Sequence, residues 1–325
     1  MLELRPLGKN RQLISVLGLG TWAFGGPWQY GWGYQDDRDS EATLEAAWEK
    51  GLNWLDTAPA YGLGHAEELV GRFLEHKREK FFIATKCGII WDQKGRVRIN
   101  INPGSISQQL DASLKRLKTD YIDLYQIHWP DKTTPLEKVW EKMLDFKRRG
   151  KIRFAGVSNF SLAQLKVCLK VGPVDSIQPA FNLLRREVER ELLPFCFEQG
   201  IAVLTYSPLM SGLLSGQFDP SRLAPDDWRR NSPYFKEPLL GKIMLFLKAL
   251  EPLAAKYERP LLQFCLGWVL QNRAVTAAIV GARRPRQLDD LVSAVHLKLA
   301  QVDCHMIDAL SQNILGDLHY QAKGH

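Results

Sequence analysis

The chain has no long hydrophobic run, no paired-cysteine motif and no block of like charge. Each absence removes a class of protein. No apolar stretch in the 325 residues reaches membrane-spanning length, and the opening "MLELRPLGKN" lacks the apolar core of a secretory signal. The five cysteines (Cys87, Cys168, Cys196, Cys265 and Cys304) form an odd set without a CxxC pair, and no His/Cys spacing suggests zinc. No metal site is expected, and a reducing cytoplasm is the simplest setting. The formal charge is +7, but the longest basic clusters are "KRR" at 147–149 and "RRPR" at 283–286. Neither is interleaved with aromatics, so a nucleic-acid surface is weakly supported. A localised anionic small ligand accounts better for the second cluster.

A hydrophobic content of 45% beside 24% charged residues fits an ordinary soluble globular protein. Short apolar runs alternate with longer amphipathic ones from end to end. Strands are expected at 15–20, 52–56, 81–86, 121–128, 152–159, 175–178, 201–206 and 276–281, and helices at 39–50, 65–76, 104–117, 134–149, 161–170, 186–199, 260–271 and 285–296. Asp39 or Ser40, Thr134 before Pro135, and Ser161 are the expected helix caps, while Gly51, Gly150 and Gly200 follow helix ends. Eight strand–helix pairs, with strands apolar on both faces, imply a parallel sheet covered by helices. Eight closes a barrel; a doubly wound sheet is the main rival, because periodicity counts units without showing closure. The remaining pieces are an alternating N-terminal segment at 2–16 that turns near "GKN", a long insertion at 214–241, and a final helix near 301–312. With no internal repeat and no linker, residues 1–325 are expected to form one domain.

Polar residues gather where the strands end. The second run stops at Asp56, the third at Lys86, the fourth at His128, the fifth at Ser158 and Asn159, the sixth at Gln178, and the seventh at Tyr206 and Ser207. In a parallel βα barrel these ends share the face that carries the active site. A single polar strand end commonly caps the next helix; six of them favour a site. The chemistry available is proton delivery. An ordinary tyrosine, with a pKa of about 10, is a poor acid–base catalyst near neutrality. An adjacent ammonium lowers that value, and a carboxylate holds the ammonium. Asp56, Tyr61 and Lys86 can meet in this way, with His128 as a second donor to a substrate oxygen. Acyl-transfer nucleophiles and paired carboxylates are missing.

A carbonyl given a proton also needs a hydride. "GLGTWA" at 18–23 matches GxGxxA formally, but "WAFGGPWQYGWG" follows and cannot open a helix, so the dinucleotide fingerprint fails in context. "VGARRPRQLDDL" at 280–291 is the better anion site: a strand end meets a helix with Pro285 in its first turn, where free N–H groups and Arg283 or Arg284 can grip phosphate.

Together, "LDTAPAYGLGHAEELVG", "ATKCG", "DYIDLYQIHWPD", "GKIRFAGVSNF", "YSPLMSGLLSG" and "IVGARRPRQL" resemble the signatures of the aldo-keto reductase family, in order and over residues 5 to 310. Similarity is greatest to a bacterial branch near the general-stress and inositol-cluster reductases, related to potassium-channel β-subunits. The resemblance implies a (β/α)8 TIM barrel with an N-terminal β-hairpin, a long cofactor-covering loop and a C-terminal helix. It also implies extended NADPH/NADP+ binding and reduction of a small-molecule carbonyl by the tetrad Asp56, Tyr61, Lys86 and His128, with Lys86 lowering the tyrosine pKa. Carried over by position, Gly20, Thr21, Trp22 and Asp56 line the cofactor site, with Ser158, Asn159 and Gln178 at the carboxamide and Tyr206 under the nicotinamide. Ser207, Pro208, Leu209, Ser211 and Gly212 fall at the pyrophosphate, and Gly281, Arg283 and Gln287 at the adenosine 2′-phosphate. Arg283 is the reason to expect NADPH rather than NADH. Two positions depart from the pattern: Leu291 stands where an adenine-contacting amide is usual, and Gln217 where a lysine is usual.

Trp22, Trp28, Tyr30, Trp91 and Trp129 follow strand ends and are expected as an aromatic mouth, with Trp22, Trp91, His128 and Trp129 lining the substrate pocket. The 214–241 insertion, with Arg229, Arg230 and Phe235, is expected as a lid. Cys87 reads as an inert buried thiol. The function expected is reduction of aldehydes and some ketones. The alternative is a regulatory cofactor-binding redox sensor of the channel β-subunit type. No nucleic acid, membrane or obligate protein partner is expected.

Overall fold

The computed structural model describes residues 2–225 and 227–316. Strands β1 (Leu4–Pro6) and β2 (Leu13–Ser15) pair antiparallel as the expected N-terminal hairpin. Eight parallel strands then close a barrel in chain order, with helices between them. These are β3 (Leu17–Gly20), α1 (Asp37–Glu49), β4 (Trp54–Asp56), α2 (His65–Phe73) and β5 (Phe82–Cys87). After β5 a small antiparallel hairpin, β6 (Ile89–Trp91) and β7 (Val97–Ile99), leads into α3 (Pro103–Arg116). The barrel continues with β8 (Ile122–Ile127), α4 (Leu136–Arg148), β9 (Ile152–Ser158), α5 (Leu162–Val171), β10 (Ser176–Gln178), α6 (Leu192–Gln199) and β11 (Ala202–Thr205). Helices α7 (Leu239–Lys256) and α8 (Leu261–Gln271) precede β12 (Ala277–Gly281), which pairs back onto β3. Helices α9 (Gln287–Ser293) and α10 (Gln301–Leu315) complete the chain. Closure excludes the doubly wound rival.

Alternation along the strands separates two apolar layers. One lies inside the barrel: Trp54, Phe82, Leu124, Leu204 and Ile279 stack there, and Leu7 and Ile14 of the hairpin segment plug its lower end. Gly18 is required at this level, because a Cβ there would come within 2.1 Å of the Trp54 ring. The other layer joins barrel to helices. On α4, Val139, Trp140, Met143 and Phe146 recur at helical spacing and are buried. Each such side chain contributes about 1.5–3 kcal/mol by leaving water. With the lower end plugged by apolar groups, polar chemistry is confined to the upper end.

The element ends show the local physics. Ser161 caps α5 in a full capping box with Gln164. Gly51, Gly150 and Gly200 have φ of +86°, +70° and +61° after their helices. Other caps differ from expectation. Asp36, rather than Asp39 or Ser40, caps α1, and Thr134 hydrogen-bonds Asp131 while Pro135 takes the cap position of α4. The expected helix at 186–199 is a 3-10 turn (Glu187–Glu189) followed by the shorter α6. Helix α7, with Pro252 in its interior, had no counterpart in the sequence reading. It is held by its apolar face and by α10, where Asp303 accepts from Lys256 Nζ (2.8 Å) and the Tyr257 hydroxyl.

Candidate active site

The polar strand ends converge at the top of the barrel. Asp56 ends β4 and Lys86 lies one residue from the end of β5, both fully or nearly buried. Lys86 Nζ donates to Asp56 Oδ1 (2.6 Å), the Thr57 carbonyl (3.0 Å) and Tyr61 Oη (3.2 Å), so all three ammonium protons have acceptors. The other Asp56 oxygen accepts from Gln178 Nε2 at 2.8 Å. Tyr61 reaches this group from the turn between β4 and α2, where Gly25 and Gly62 approach too closely to admit side chains. His128, just past β8, meets the Tyr61 ring edge-on with centroids 5.9 Å apart. The four residues singled out in sequence therefore form one cluster.

Burial sets the direction of the shifts at Tyr61 and His128. It raises the Tyr61 pKa above its ordinary value; Lys86 opposes that shift and Asp56 adds to it. The expectation that Lys86 brings the phenol down is thus half met: the lysine acts in that direction but desolvation outweighs it, and Tyr61 stays protonated at neutral pH. Burial pulls Lys86 down, yet Asp56 and Tyr61 more than offset this and keep the ammonium. Burial, helped by the Lys86 charge, drives His128 well below its ordinary value, leaving a neutral imidazole. Burial pushes the Cys87 thiol up to about 12, so it is inert as expected.

Beside the tetrad lies a hydrogen-bonded shelf. Ser158 Oγ donates to the Gln178 carbonyl (2.9 Å), and Asn159, in a left-handed conformation (φ +61°), donates to the His128 carbonyl (3.0 Å). The Tyr206 hydroxyl donates to Asn159 Oδ1 at 2.8 Å, which fixes the plane of its half-buried ring. Thr21, next to Gly20, binds the Asp56 carbonyl through both its amide and its hydroxyl. The following loop holds Ser207, Pro208, Leu209, Ser211 and Gly212. Ser207, Met210, Ser211 and Gly212 all have positive φ, and the Met210 and Gly212 amides donate to the Ser207 and Leu209 carbonyls, closing the loop into tight turns. Asn182, missed in the sequence reading, anchors this loop by donating to the Ser207 carbonyl at 2.8 Å.

The described residues of the 214–241 insertion form short 3-10 turns until α7 begins at Leu239, with Phe235 buried against Trp228 and Phe218. Trp228 packs on Trp22 (5.6 Å), which packs on Trp32 (5.8 Å). Arg229 is forked onto Asp227, donates to the Ser211 carbonyl (3.1 Å) and lies 4.8 Å from the Trp32 ring. Arg230 instead binds the Leu223 and Ala224 carbonyls within the insertion. Trp28 contacts both Tyr30 and Tyr61. The aromatic mouth is therefore built from Trp22, Trp28, Trp32 and Trp228. Trp91 ends β6 in the added hairpin and Trp129 follows His128; neither has a ring partner among the described residues. Trp228 was missed because its contact with Trp22 joins loops about 200 positions apart, whereas Trp32 was passed over although it lies close to Trp22 in sequence.

At the far end, Gly281 closes β12 and a cleft of about 400 Å³ is lined by Arg283, Arg284, Gln287 and the 34–39 segment. The expected helix with Pro285 in its first turn starts later, at Gln287, and the amides expected to be free are not: Gln287 Oε1 accepts from the Arg283 and Arg284 N–H groups (2.8 and 3.1 Å). Burial and the nearby Arg229 and Arg284 lower the Arg283 pKa, the signature of crowded cations suited to an anion. Leu291 is buried in the core, and Gln217 is exposed beside the loop that Arg229 engages.

The aldo/keto reductase family model matches residues 16–312. The chain belongs to that family. The aldo-keto reductase YhdN of Bacillus subtilis is 38% identical over 93% of this chain and 92% of its own length. The NADH-specific methylglyoxal reductase of Escherichia coli is 34% identical over 94% and 98%. Among solved structures, a glycerol dehydrogenase from Gluconobacter oxydans superposes with a TM-score of 0.88 at 36% identity, covering 96% of each chain. A holo aldo-keto reductase from Bacillus halodurans reaches 0.82 at 27% identity, covering 99% of this chain and 100% of its own. The family and the barrel are thus established, and so is the nicotinamide chemistry common to aldo-keto reductases. Among the described residues no helix is long and apolar enough to cross a membrane, and no cluster of three His, Cys, Asp or Glu could hold a metal ion.

Proposed function

We propose that this aldo-keto reductase is a single-domain cytoplasmic enzyme that reduces aldehydes, with ketones as a secondary class, at the expense of NADPH. The observation that carries the reading is the Lys86 ammonium, which touches both Asp56 (2.6 Å) and the Tyr61 hydroxyl (3.2 Å). The residues fit a dinucleotide: crowded arginines suit the phosphate end, the left-handed Ser207–Gly212 loop suits the pyrophosphate, and the braced Tyr206 ring suits the nicotinamide. When bound, the reduced nicotinamide supplies the hydride.

The chain's own groups handle the proton and the charge. As the carbonyl carbon gains hydride, its π electron pair moves to oxygen, and that oxygen takes the proton from Tyr61 Oη. Tyr61 is protonated at working pH because burial raises its pKa. The phenolate left behind is stabilised by Lys86, which Asp56 holds in place, and solvent later returns the proton. Neutral His128 offers an N–H to the same carbonyl oxygen, orienting it without competing as an acid. Ser158, Asn159 and Gln178 hold the carboxamide end, and the 214–241 insertion closes over the cofactor through Trp228 and Arg229. Trp22 and Trp28 make the entrance suitable for apolar and aromatic aldehydes, with Trp91 and Trp129 toward its outer edge. The five free cysteines agree with a reducing compartment.

Purified protein mixed with NADPH and an electron-poor aromatic aldehyde tests this. Steady loss of nicotinamide absorbance, faster than with NADH, is the expected result. Tight NADPH binding without turnover across an aldehyde panel would overturn the reductase reading and favour a sensor.

A further inference from the structure

We propose that the segment from Tyr34 to Asp39, outside every motif of the site, sets the cofactor preference by occupying the arginines that would grip a 2′-phosphate. The inference rests on the dinucleotide reading above. Arg283 Nε donates to Gln35 Oε1 at 2.7 Å, and its Nη2 donates to the Tyr34 carbonyl. Gln35 is buried and completes a two-point clasp, because its Nε2 donates back to the Arg283 carbonyl at 3.0 Å. It is braced by a further bond to Ser40 Oγ at 3.1 Å. Arg284 Nε pairs with Asp39 Oδ2 at 3.3 Å. With Gln287 taking both backbone amides, Nε and Nη2 of Arg283 and Nε of Arg284 are matched to protein acceptors, while Arg286 also lines the cleft.

The two cofactors meet this arrangement differently. A 2′-phosphate carries about −1.5 to −2 charges and only acceptor oxygens, so it must pull Arg283 from the Gln35 clasp and approach the Asp39 carboxylate. A 2′-hydroxyl demands neither, and it can donate to the same acceptors. The arginines favour NADPH, while Gln35 and Asp39 subtract from that preference. NADH is therefore a working second cofactor. The arginines supply the preference, and the acceptors set how much of it is expressed.

The test is the dissociation constant of each cofactor, read by quenching of protein fluorescence on the intact chain. In Asp39→Asn, which removes an exposed carboxylate, affinity for NADPH relative to NADH rises about fivefold. In Gln35→Glu, which tightens the clasp into an ion pair and repels phosphate, the ratio falls about tenfold. A ratio unmoved in both folded variants overturns the proposal, as does movement in the same direction in both. Asp39→Asn alone keeps the question decidable if Gln35→Glu fails to fold. Failure of the wild-type chain to bind either cofactor would be a different result: it would remove the dinucleotide reading itself.

Discussion

The two ends of the proposed cofactor cleft are built on opposite principles. At the tetrad end, Asp56, Lys86 and Gln178 stand on barrel strands, are buried, and are bonded to one another. At the arginine end, Arg283 and Arg284 stand on a connection after the last strand and lean on the loop before α1 and on its first turn, more than 240 positions away, with Arg284 largely exposed. Buried strand tips hold the Asp56–Lys86 pair that supports the proton donor, whereas loop contacts can be exchanged one at a time. The first end is suited to an unchanging reaction and the second to a preference that shifts with single substitutions.

Substitutions that act on one end only would sharpen that contrast. The largest effect is expected at Lys86. Lys86→Met leaves the Asp56 carboxylate buried without its cation and the phenolate unsupported, so kcat should fall by about 10²–10⁴ with either cofactor in steady-state assays. Unequal losses with NADPH and NADH would break the division. Arg283→Leu removes a charge-assisted contact at the far end. It should weaken NADPH binding about tenfold in titrations while sparing kcat with saturating NADH.

The pH profile probes the tetrad end alone. Tyr61 must carry its proton to react, and burial raises its pKa above 10, so reduction should hold through neutrality and fall only above pH 10 with either cofactor. A descending limb near neutrality would contradict this. His128 titrates in the opposite sense. Its folded pKa lies below the ordinary value of about 6.5, so the unfolded chain binds the proton first. Thermal stability should therefore decline as pH drops below that value, and less steeply in His128→Gln. The smallest effect belongs to Ser161→Ala, far from both ends. Loss of the α5 cap should cost about 1 kcal/mol in denaturant unfolding and change neither cofactor's binding.

What could be read in the sequence follows the same division. The eight strands and the tetrad were legible because each strand is a short apolar run, six of the expected runs end in polar residues, and chain order equals barrel order. Asp56, Lys86 and His128 needed no distant partner to be recognised. Tyr61 was placed correctly, but its net pKa shift was not, because burial is a property of the assembled mouth. Trp228 on Trp22 and Gln35 on Arg283 are pairings between loops separated by about 200 residues or more, and nothing local to either sequence encodes them. Helix α7 was missed, and it is held in place by its packing on α10.

The central claim is that Tyr61 delivers the proton from within the Asp56–Lys86 group. The most direct measurement is single-turnover reduction of an aromatic aldehyde by the NADPH-loaded protein, wild type beside Tyr61→Phe, with cofactor binding measured on both. The account predicts that Tyr61→Phe binds NADPH as wild type does and loses at least about a hundredfold in the transfer rate. A variant that binds cofactor and turns over at the wild-type rate would contradict it.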